Sequence, residues 1–412
     1  MDFGVGAQIQ GHVIGPSVTR FNVQTNRNVS VKDVAKYIDD ISIRLGGISA
    51  RFVKVVKGSN MSGLEIPNFK SSTVSFKECI SKFLNNRNDK YIVPLGKEIN
   101  GDICAINVTD FPHLLVAGAT GSGKSIFIHD IIMSLIMKTS PQELKIMLID
   151  PKRVEFSQYK GMPHLICPII TECDQARVAL KKIVDEMEKR YVLFEKAGVS
   201  KISQYNKYAL KNGLQPLETL VVIVDEYANL VEASRGITDL VVKIVQKSRA
   251  AGIHMVIATQ RPSVNVITGV IKGNLPSRVA LRTASATDST TILGEGGAES
   301  LLGYGDMLFD SPELGNIGGF ARLQCPYIDN DEIKRVVEFL KQGYQTKYDE
   351  QYLDLTEHLT QGSIFGNKPL IDENYEEVKQ YVYKKDETSI SDLQINFGFV
   401  YPRAAKIFNQ LQ

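Results

Sequence analysis

Residues 113–125 read His113-Leu114-Leu115-Val116-Ala117-Gly118-Ala119-Thr120-Gly121-Ser122-Gly123-Lys124-Ser125. The stretch up to Ala117 has the apolar character of a buried strand, and the remainder fits the pattern G-x-x-x-x-G-K-[ST]. Ile126 to Lys138 follow with the apolar spacing of a helix. Strand, glycine loop and helix in this order predict a phosphate-binding loop, and these flanks argue against the alternative of a chance match.

Each residue type in this loop has a physical reason to be there. Glycines let backbone N–H groups turn inward around phosphates at the positive end of the following helix. Lys124 would reach the β- and γ-phosphates, and the Ser125 hydroxyl would ligate Mg²⁺. The sequence therefore predicts a site for a nucleoside triphosphate and Mg²⁺, formed by Gly118, Ala119, Thr120, Gly121, Ser122, Gly123, Lys124 and Ser125.

Composition sets broad limits on the class of protein. A chain of 412 residues is too long for one compact core, so two or three domains are expected. The net charge of +2 is not the strongly basic signature of a protein that coats DNA. We expect no membrane-spanning segment and a reducing, cytoplasmic environment. The second expectation rests on scattered cysteines that form no C-x-x-C pair: Cys79, Cys104, Cys167, Cys173 and Cys325.

The centre of the chain alternates apolar strands with helices. Predicted helices are Ile126–Lys138, Asp174–Ala197 and Gly236–Arg249. Predicted strands are Leu114–Ala117, Lys145–Ile149, Leu220–Val224, His254–Thr259 and Arg278–Arg282. This alternation indicates an α/β fold with a mostly parallel sheet covered by helices on both faces. Ligands of such sheets bind at the carboxyl ends of the strands.

Two carboxylates end the strand Leu220–Val224. Asp225 would hold the hydration shell of Mg²⁺, and Glu226 would polarise the water that attacks the γ-phosphate. An ordinary buried strand that happens to end in acids is the alternative. An acid pair after a phosphate loop favours an ATPase over a passive nucleotide binder.

Other polar residues follow neighbouring strands. Gln260 is the candidate sensor of the γ-phosphate, although a plain turn before Pro262 would also explain it. Asp150-Pro151-Lys152-Arg153 ends another strand at the same edge, where a solvated loop is an equally good interpretation. An arginine finger can act in cis or in trans, and Arg278 is preferred among the candidates Arg249, Arg261 and Arg278.

The ends of the chain are predicted to form smaller units. Residues 1–111 show an α+β pattern, with strands at 18–23 and 51–56 and a helix over 31–45 that Ser30 caps. Residues 112–342 hold the α/β core, and residues 343–371 form a linker. Residues 372–412 contain three short helix patterns that resemble a helix-turn-helix module.

Several motifs together resemble the FtsK/SpoIIIE family of DNA translocases. They include the phosphate loop, Asp150-Pro151-Lys152, Asp225-Glu226-Tyr227-Ala228 and Ala258-Thr259-Gln260-Arg261-Pro262-Ser263. Upstream, Gly15 to Phe21 and Gly63 to Asn68 look like the α domain of that family, and Tyr401 to Lys406 resembles the last helix of its γ domain. The likeness extends over most of the chain.

The resemblance implies an α domain followed by a RecA-like P-loop ATPase domain and part of a winged-helix γ domain. It also implies a homo-oligomer, a hexameric ring around double-stranded DNA, in which ATP hydrolysis drives duplex through the pore. Family members serve chromosome segregation at division or sporulation. Their membrane helices are absent from this sequence, so we expect a cytoplasmic motor, at the inner face of the membrane if the native protein has an anchor.

Two departures from the family pattern affect DNA contact. In the pore-loop stretch, Ser300 and Tyr304 occupy the places where the family often has Lys and Arg, which predicts fewer phosphate contacts. Pro402 replaces an Asn of the family, and the tail ends before any β-wing. Two other functions stay open: a conjugation or plasmid-transfer ATPase of the same superfamily, and an ATP-gated scaffold that does not translocate.

Overall fold

The computed structural model describes residues 4–56, 58–85, 89–111, 113–312 and 319–355, together with Val378, Tyr381, Asn396 and Phe397. The chain divides into two compact units, residues 1–356 and 357–412. Apart from those four residues, the second unit lies outside the described part. The predicted helix-turn-helix over 372–412 and most of the linker over 343–371 therefore stay predictions.

A small antiparallel sheet forms first. Its strands are β1 (Ala7–Ile14), β2 (Val18–Thr25), β3 (Arg51–Val53) and β4 (Ser62–Pro67), in the order β1-β2-β4-β3. Side chains of alternate residues face the same side of such a sheet, which is why β2 was recognisable from its alternating pattern. Val18 and Val23 of β2 are buried, as is Glu65 of β4.

A nine-stranded sheet forms the core of the same unit. Its strands are β5 (Ile92–Glu98), β6 (Ile103–Asn107), β7 (His113–Ala117), β8 (Leu144–Ile149), β9 (Thr219–Val224), β10 (Ile253–Thr259), β11 (Ser277–Leu281), β12 (Asp306–Asp310) and β13 (Ala321–Gln324). The order is β6-β5-β13-β12-β11-β7-β10-β9-β8, and the five strands from β11 to β8 are parallel. The four strands at the other end pair antiparallel.

The described residues form eleven α-helices, of which those that follow β4 pack on the two faces of this sheet. They are α1 (Val31–Ala35), α2 (Ile38–Arg44), α3 (Phe76–Leu84), α4 (Lys124–Ile136), α5 (Cys173–Ala197), α6 (Ile202–Lys211), α7 (Tyr227–Ala233), α8 (Ile237–Lys247), α9 (Gly269–Asn274), α10 (Ala286–Leu293) and α11 (Asn330–Gly343). Successive residues of β7 belong to opposite cores: Leu115 lies in the core that includes residues of α5 and α8, and Leu114 lies in the core that includes residues of α3, α4 and α11. The predicted α/β fold is confirmed. Among the described residues, no helix has the length and apolar character needed to cross a membrane.

The N-terminal predictions need two corrections. The helix predicted over 31–45 is two helices, because Tyr37 (φ −92°, ψ 7°) leaves helical geometry and its N–H bonds the carbonyl three residues back, on Val34. The first domain, predicted to extend to residue 111, includes β5 and β6, which belong to the nine-stranded sheet. Because β5 pairs with β13, the change of sheet falls between β4 and β5.

A fully buried arginine ties three elements of the core together. Arg190 on α5 is 1% exposed and donates hydrogen bonds to Glu186 Oε1 at 2.8 Å, to the Glu218 carbonyl at 2.8 Å and to the Ala251 carbonyl at 3.0 Å. A buried acceptor that loses its donor cannot regain one from water. The guanidinium therefore satisfies carbonyl groups of the two segments that lead into β9 and β10.

We predict that Arg190→Met lowers the free energy of unfolding by about 3 kcal/mol, because it leaves buried acceptors unpaired. Chemical denaturation of the full chain followed by circular dichroism measures this. Lys189→Met is the matched control, because Lys189 directly precedes Arg190 in the sequence and is exposed. It should change stability by less than about 0.5 kcal/mol. Equal losses in the two variants would contradict the assignment.

Candidate active site

The phosphate loop connects β7 to α4 and depends on glycine geometry. Gly121 (φ 76°) and Gly123 (φ 102°) both have left-handed backbone, which residues with a Cβ rarely adopt. Gly123 caps α4 and lies against Gly305, whose N–H donates to the Ser122 carbonyl at 2.8 Å. The first N–H groups of α4 therefore point into the loop without intrahelical partners, as an anion site requires.

A buried ion pair joins this loop to the end of β9. Lys124 Nζ donates to Asp225 Oδ1, and the two side chains are 3% and 1% exposed. Burial raises the pKa of Asp225, and the Lys124 ammonium opposes this shift only in part. Asp225 Oδ2 is buried and has no hydrogen-bond partner among the described residues. This oxygen could therefore accept one further partner.

Glu226 is held by three donors in a strained backbone position. Its φ of 54° is one of three positive values at non-glycine residues of the described chain. Oε1 accepts from Thr259 Oγ1 at 2.7 Å and from the Gln260 N–H at 3.1 Å, and Oε2 accepts from Lys152 Nζ at 2.8 Å. Burial alone would raise the pKa of Glu226, but these hydrogen bonds and the Lys152 charge lower it. The side chain is therefore a carboxylate at neutral pH.

The remaining polar residues complete this edge of the sheet. Gln260 Oε1 accepts from Thr120 Oγ1 at 3.2 Å, which places its amide beside the phosphate loop. Ser125 Oγ donates to Glu155 Oε1 at 2.8 Å. Asp150 shapes the loop that follows β8, because its carboxylate accepts from the N–H groups of Lys152 and Glu155 at 3.1 and 2.9 Å.

A cavity of about 600 Å³ opens beside these groups. Its wall includes Thr120, Lys124, Ser125, Gln260, Tyr304 and Tyr327. The volume lies within the range typical of sites for nucleotide-sized ligands. The cavity is thus continuous with the inward-facing N–H groups of the phosphate loop.

The structure brings most of the predicted site residues together at this edge: Lys124, Ser125, Asp225, Glu226 and Gln260. Arg278 lies elsewhere. It precedes Ala280 by two residues in β11, and Ala280 pairs with Ala117, the last residue before the phosphate loop. Its guanidinium donates to the carbonyls of Leu275 and Lys272 at 2.9 and 2.8 Å. Arg278 does not contribute to the site of its own chain, so only its action in trans stays a prediction.

Sequence reasoning missed three contributors. Lys152 was noted only as part of a loop, and its ion pair with Glu226 joins residues 74 positions apart in the chain. Thr259 and Glu155 were assigned no role. The position of Thr259 at the end of β10 was the available signal, because polar groups at parallel strand ends converge on the ligand.

The donor set fits a hydrated Mg²⁺ ion bound together with phosphates. Asp225 Oδ2 is an unpaired buried oxygen, and the Ser125 hydroxyl lies at the first turn of α4. Mg²⁺ prefers hard oxygen ligands and usually keeps several waters, so one or two protein oxygens suffice. Among the described residues, no group of three or more His, Cys, Asp or Glu side chains could hold a metal ion. The site therefore fits a metal that takes most of its ligands from water and phosphate.

We predict that Gly123→Ala abolishes binding of a fluorescent ATP analogue. A Cβ at Gly123 would lie 2.4 Å from the backbone nitrogen of Gly305, and its φ is strained for any side chain. Fluorescence anisotropy measures the affinity, and circular dichroism confirms folding. Gly121→Ala is the control: φ is also positive, but no atom lies within 4 Å of the added Cβ, so the loss should be smaller. Equal losses would contradict the steric argument.

Solved structures share this fold. The pCW3 conjugation coupling protein TcpA, solved with ATPγS, matches 82% of this chain and 95% of its own with a TM-score of 0.57 and 24% identity. The cytoplasmic domain of the type VII secretion ATPase EccC from Thermomonospora curvata matches 69% of this chain and 36% of its own, with a TM-score of 0.59 and 23% identity. At these identities the likeness concerns the fold alone.

Sequence comparisons are more specific. The FtsK alpha domain model matches residues 1–68, and the FtsK/SpoIIIE family model matches residues 79–264. All of this chain aligns with the DNA translocases FtsK of Streptococcus agalactiae, at 40% identity, and of Bacillus cereus, at 41%. It spans about half of each of these relatives, 51% and 52%. With the site geometry described above, these matches show that the chain belongs to the FtsK/SpoIIIE family.

Proposed function

We propose that this chain is the motor of an ATP-driven translocase of double-stranded DNA. The observation that carries the proposal is the Glu226 carboxylate, held at a strand end beside a phosphate loop. A passive nucleotide binder does not need a carboxylate in this position. The family relatives named DNA translocase FtsK support duplex DNA as the substrate.

Nucleotide binding begins with an exchange of partners at Lys124. The ammonium now neutralises Asp225 in a buried pair. A triphosphate supplies stronger and more numerous anionic oxygens, so Lys124 moves to the β- and γ-phosphates while the loop N–H groups hold the rest. This move releases Asp225, which together with Ser125 would hold Mg²⁺. A metal held there would supply positive charge beside the phosphate oxygens.

Hydrolysis requires a base and a group that detects the γ-phosphate. Glu226 accepts a proton from the attacking water, and its lowered pKa keeps it ionised for this role. Gln260 contacts both the proposed base and the phosphate loop. Its backbone N–H donates to Glu226, and its side chain accepts from Thr120. We assign Gln260 the role of sensor.

The charge of the transition state needs a further cation, which an arginine of a neighbouring subunit can supply. Arg278 is our candidate for that role in trans, within a hexameric ring. Family resemblance is the support for this ring and for a place in chromosome segregation at cell division or in sporulation.

Contact with DNA is assigned to the loop between α10 and β12. Tyr304 at its tip is 88% exposed, and the Tyr304 N–H donates to the Gly121 carbonyl of the phosphate loop at 3.4 Å. A shift of the phosphate loop during hydrolysis would therefore move the loop tip. Because Ser300 and Tyr304 replace basic residues of the family pattern, we expect a shallower dependence of DNA affinity on salt.

Two other functions were considered. A role in conjugative transfer is not favoured by the likeness to TcpA, which concerns the fold alone. A scaffold that binds ATP without hydrolysing it would have no use for the organised Glu226. We therefore retain the translocase as the proposal.

Steady-state ATPase measurements with and without long linear duplex DNA test it. We predict that duplex stimulates hydrolysis by the wild-type chain. Glu226→Gln should lower kcat by about a hundredfold or more, because general bases contribute at least that factor. The variant should still bind the fluorescent ATP analogue, since Glu226 does not contact the phosphate loop directly.

Glu232→Gln is the matched control, because Glu232 lies nearby on α7 and is exposed, paired with Arg261. It should hydrolyse ATP at the wild-type rate. Hydrolysis that is indifferent to duplex would contradict the choice of DNA as substrate. Full activity of Glu226→Gln would contradict the proposed base.

A further inference from the structure

Arg322 of β13 lies at the contact between the two sheets. Its guanidinium donates to Asp306 Oδ1 at 2.9 Å and to Oδ2 at 2.6 Å, and its third bond goes to Glu65 Oε2 at 2.7 Å. Glu65 belongs to β4 of the small sheet, 257 residues away in sequence. Arg322 is thus the direct link between the small domain and the start of β12.

The ion pairs around Arg322 form one network in which positive and negative charges balance. Arg51 of β3 donates to the same Glu65 oxygen at 3.0 Å, so two guanidinium groups face two carboxylates. Burial would raise the pKa of Glu65, and the charges of Arg51 and Arg322 reverse this and lower it. Glu65 and Asp306 are 3% and 1% exposed. Loss of one charge would leave a buried, uncompensated partner.

Asp306 in turn fixes the loop that covers the phosphate loop. Its Oδ2 accepts from the Leu302 N–H at 2.9 Å, which closes the turn from 302 to 306. Within that turn, the Tyr304 and Gly305 N–H groups donate to the carbonyls of Gly121 and Ser122. We call residues 302–305 the covering loop. A continuous series of contacts therefore runs from β4 to the phosphate loop.

We propose that Glu65 and Arg322 are positioning residues, through which the small N-terminal domain holds the covering loop against the phosphate loop. Glu65 anchors the Arg322 guanidinium, Arg322 orients the Asp306 carboxylate with two parallel bonds, and Asp306 closes the covering loop. Bidentate arginine–carboxylate pairs fix orientation as well as distance, which suits a positioning role. The consequence for nucleotide affinity rests on the function proposed above.

Amide hydrogen exchange of the full chain, read by mass spectrometry, tests the inference. Glu65→Gln preserves shape and removes the charge. We predict that it accelerates exchange in peptides covering residues 302–305 about tenfold, a factor typical of coupling between sites. Peptides from β9, which contact none of the four charged residues, should exchange at the wild-type rate. Affinity for the fluorescent ATP analogue should fall by about threefold to tenfold.

Glu78→Gln is the matched control, since Glu78 forms an exposed ion pair with Lys97 in the same unit. It should change neither the exchange of the covering loop nor the affinity. Unchanged exchange at 302–305 in Glu65→Gln, acceleration confined to β1–β4, or uniform acceleration of every peptide would each overturn the proposal. Faster exchange with unchanged affinity would overturn its link to nucleotide. Failure of the wild-type chain to bind the analogue would contradict the proposed function alone, because exchange needs no nucleotide.

Discussion

The buried pair of Lys124 and Asp225 is the interaction on which the arrangement of the site depends. Neither charge could be buried alone without a cost of several kcal/mol, so the phosphate loop and the end of β9 must stay together. The two groups follow β7 and β9, and β10 lies between these strands and pairs in parallel with both. The pair also keeps Lys124, the proposed phosphate ligand, buried next to the phosphate loop before nucleotide binds.

Three carboxylates lie at the carboxyl ends of the parallel strands, and their surroundings differ. The Asp150 carboxylate accepts hydrogen bonds from backbone N–H groups and thereby stabilises the loop after β8. Burial raises the pKa of Asp225, and the Lys124 charge opposes this shift by stabilising the carboxylate. Hydrogen-bond donors surround Glu226 and lower its pKa, so it stays ionised, as the proposed role of base requires. Pairs of acids whose environments separate their pKa values commonly divide the chemical roles in an enzyme.

The sequence predicts the core well where the signal is local. The five parallel strands lie within a residue of their predicted bounds, because uninterrupted apolar runs are typical of buried parallel strands. The glycine spacing of the phosphate loop and the acids after β9 are local signals too. Contacts between segments that are far apart in the sequence leave no local pattern of this kind. Neither the pairing of β5 with β13 nor the bond from Lys152 to Glu226 could be read from composition or periodicity. The closed network around Arg322 likewise needs the tertiary structure to be visible.

Displacement of a third strand from linear duplex DNA tests the central claim most directly. A triplex-forming oligonucleotide is placed at increasing distances from the end of the duplex, and its release is followed by fluorescence after ATP is added. The account predicts release that needs ATP hydrolysis, with a delay that grows in proportion to the distance travelled. Glu226→Gln should release nothing. ATP hydrolysis by the wild-type chain without release of the oligonucleotide, or release with a delay independent of distance, would contradict a translocating motor.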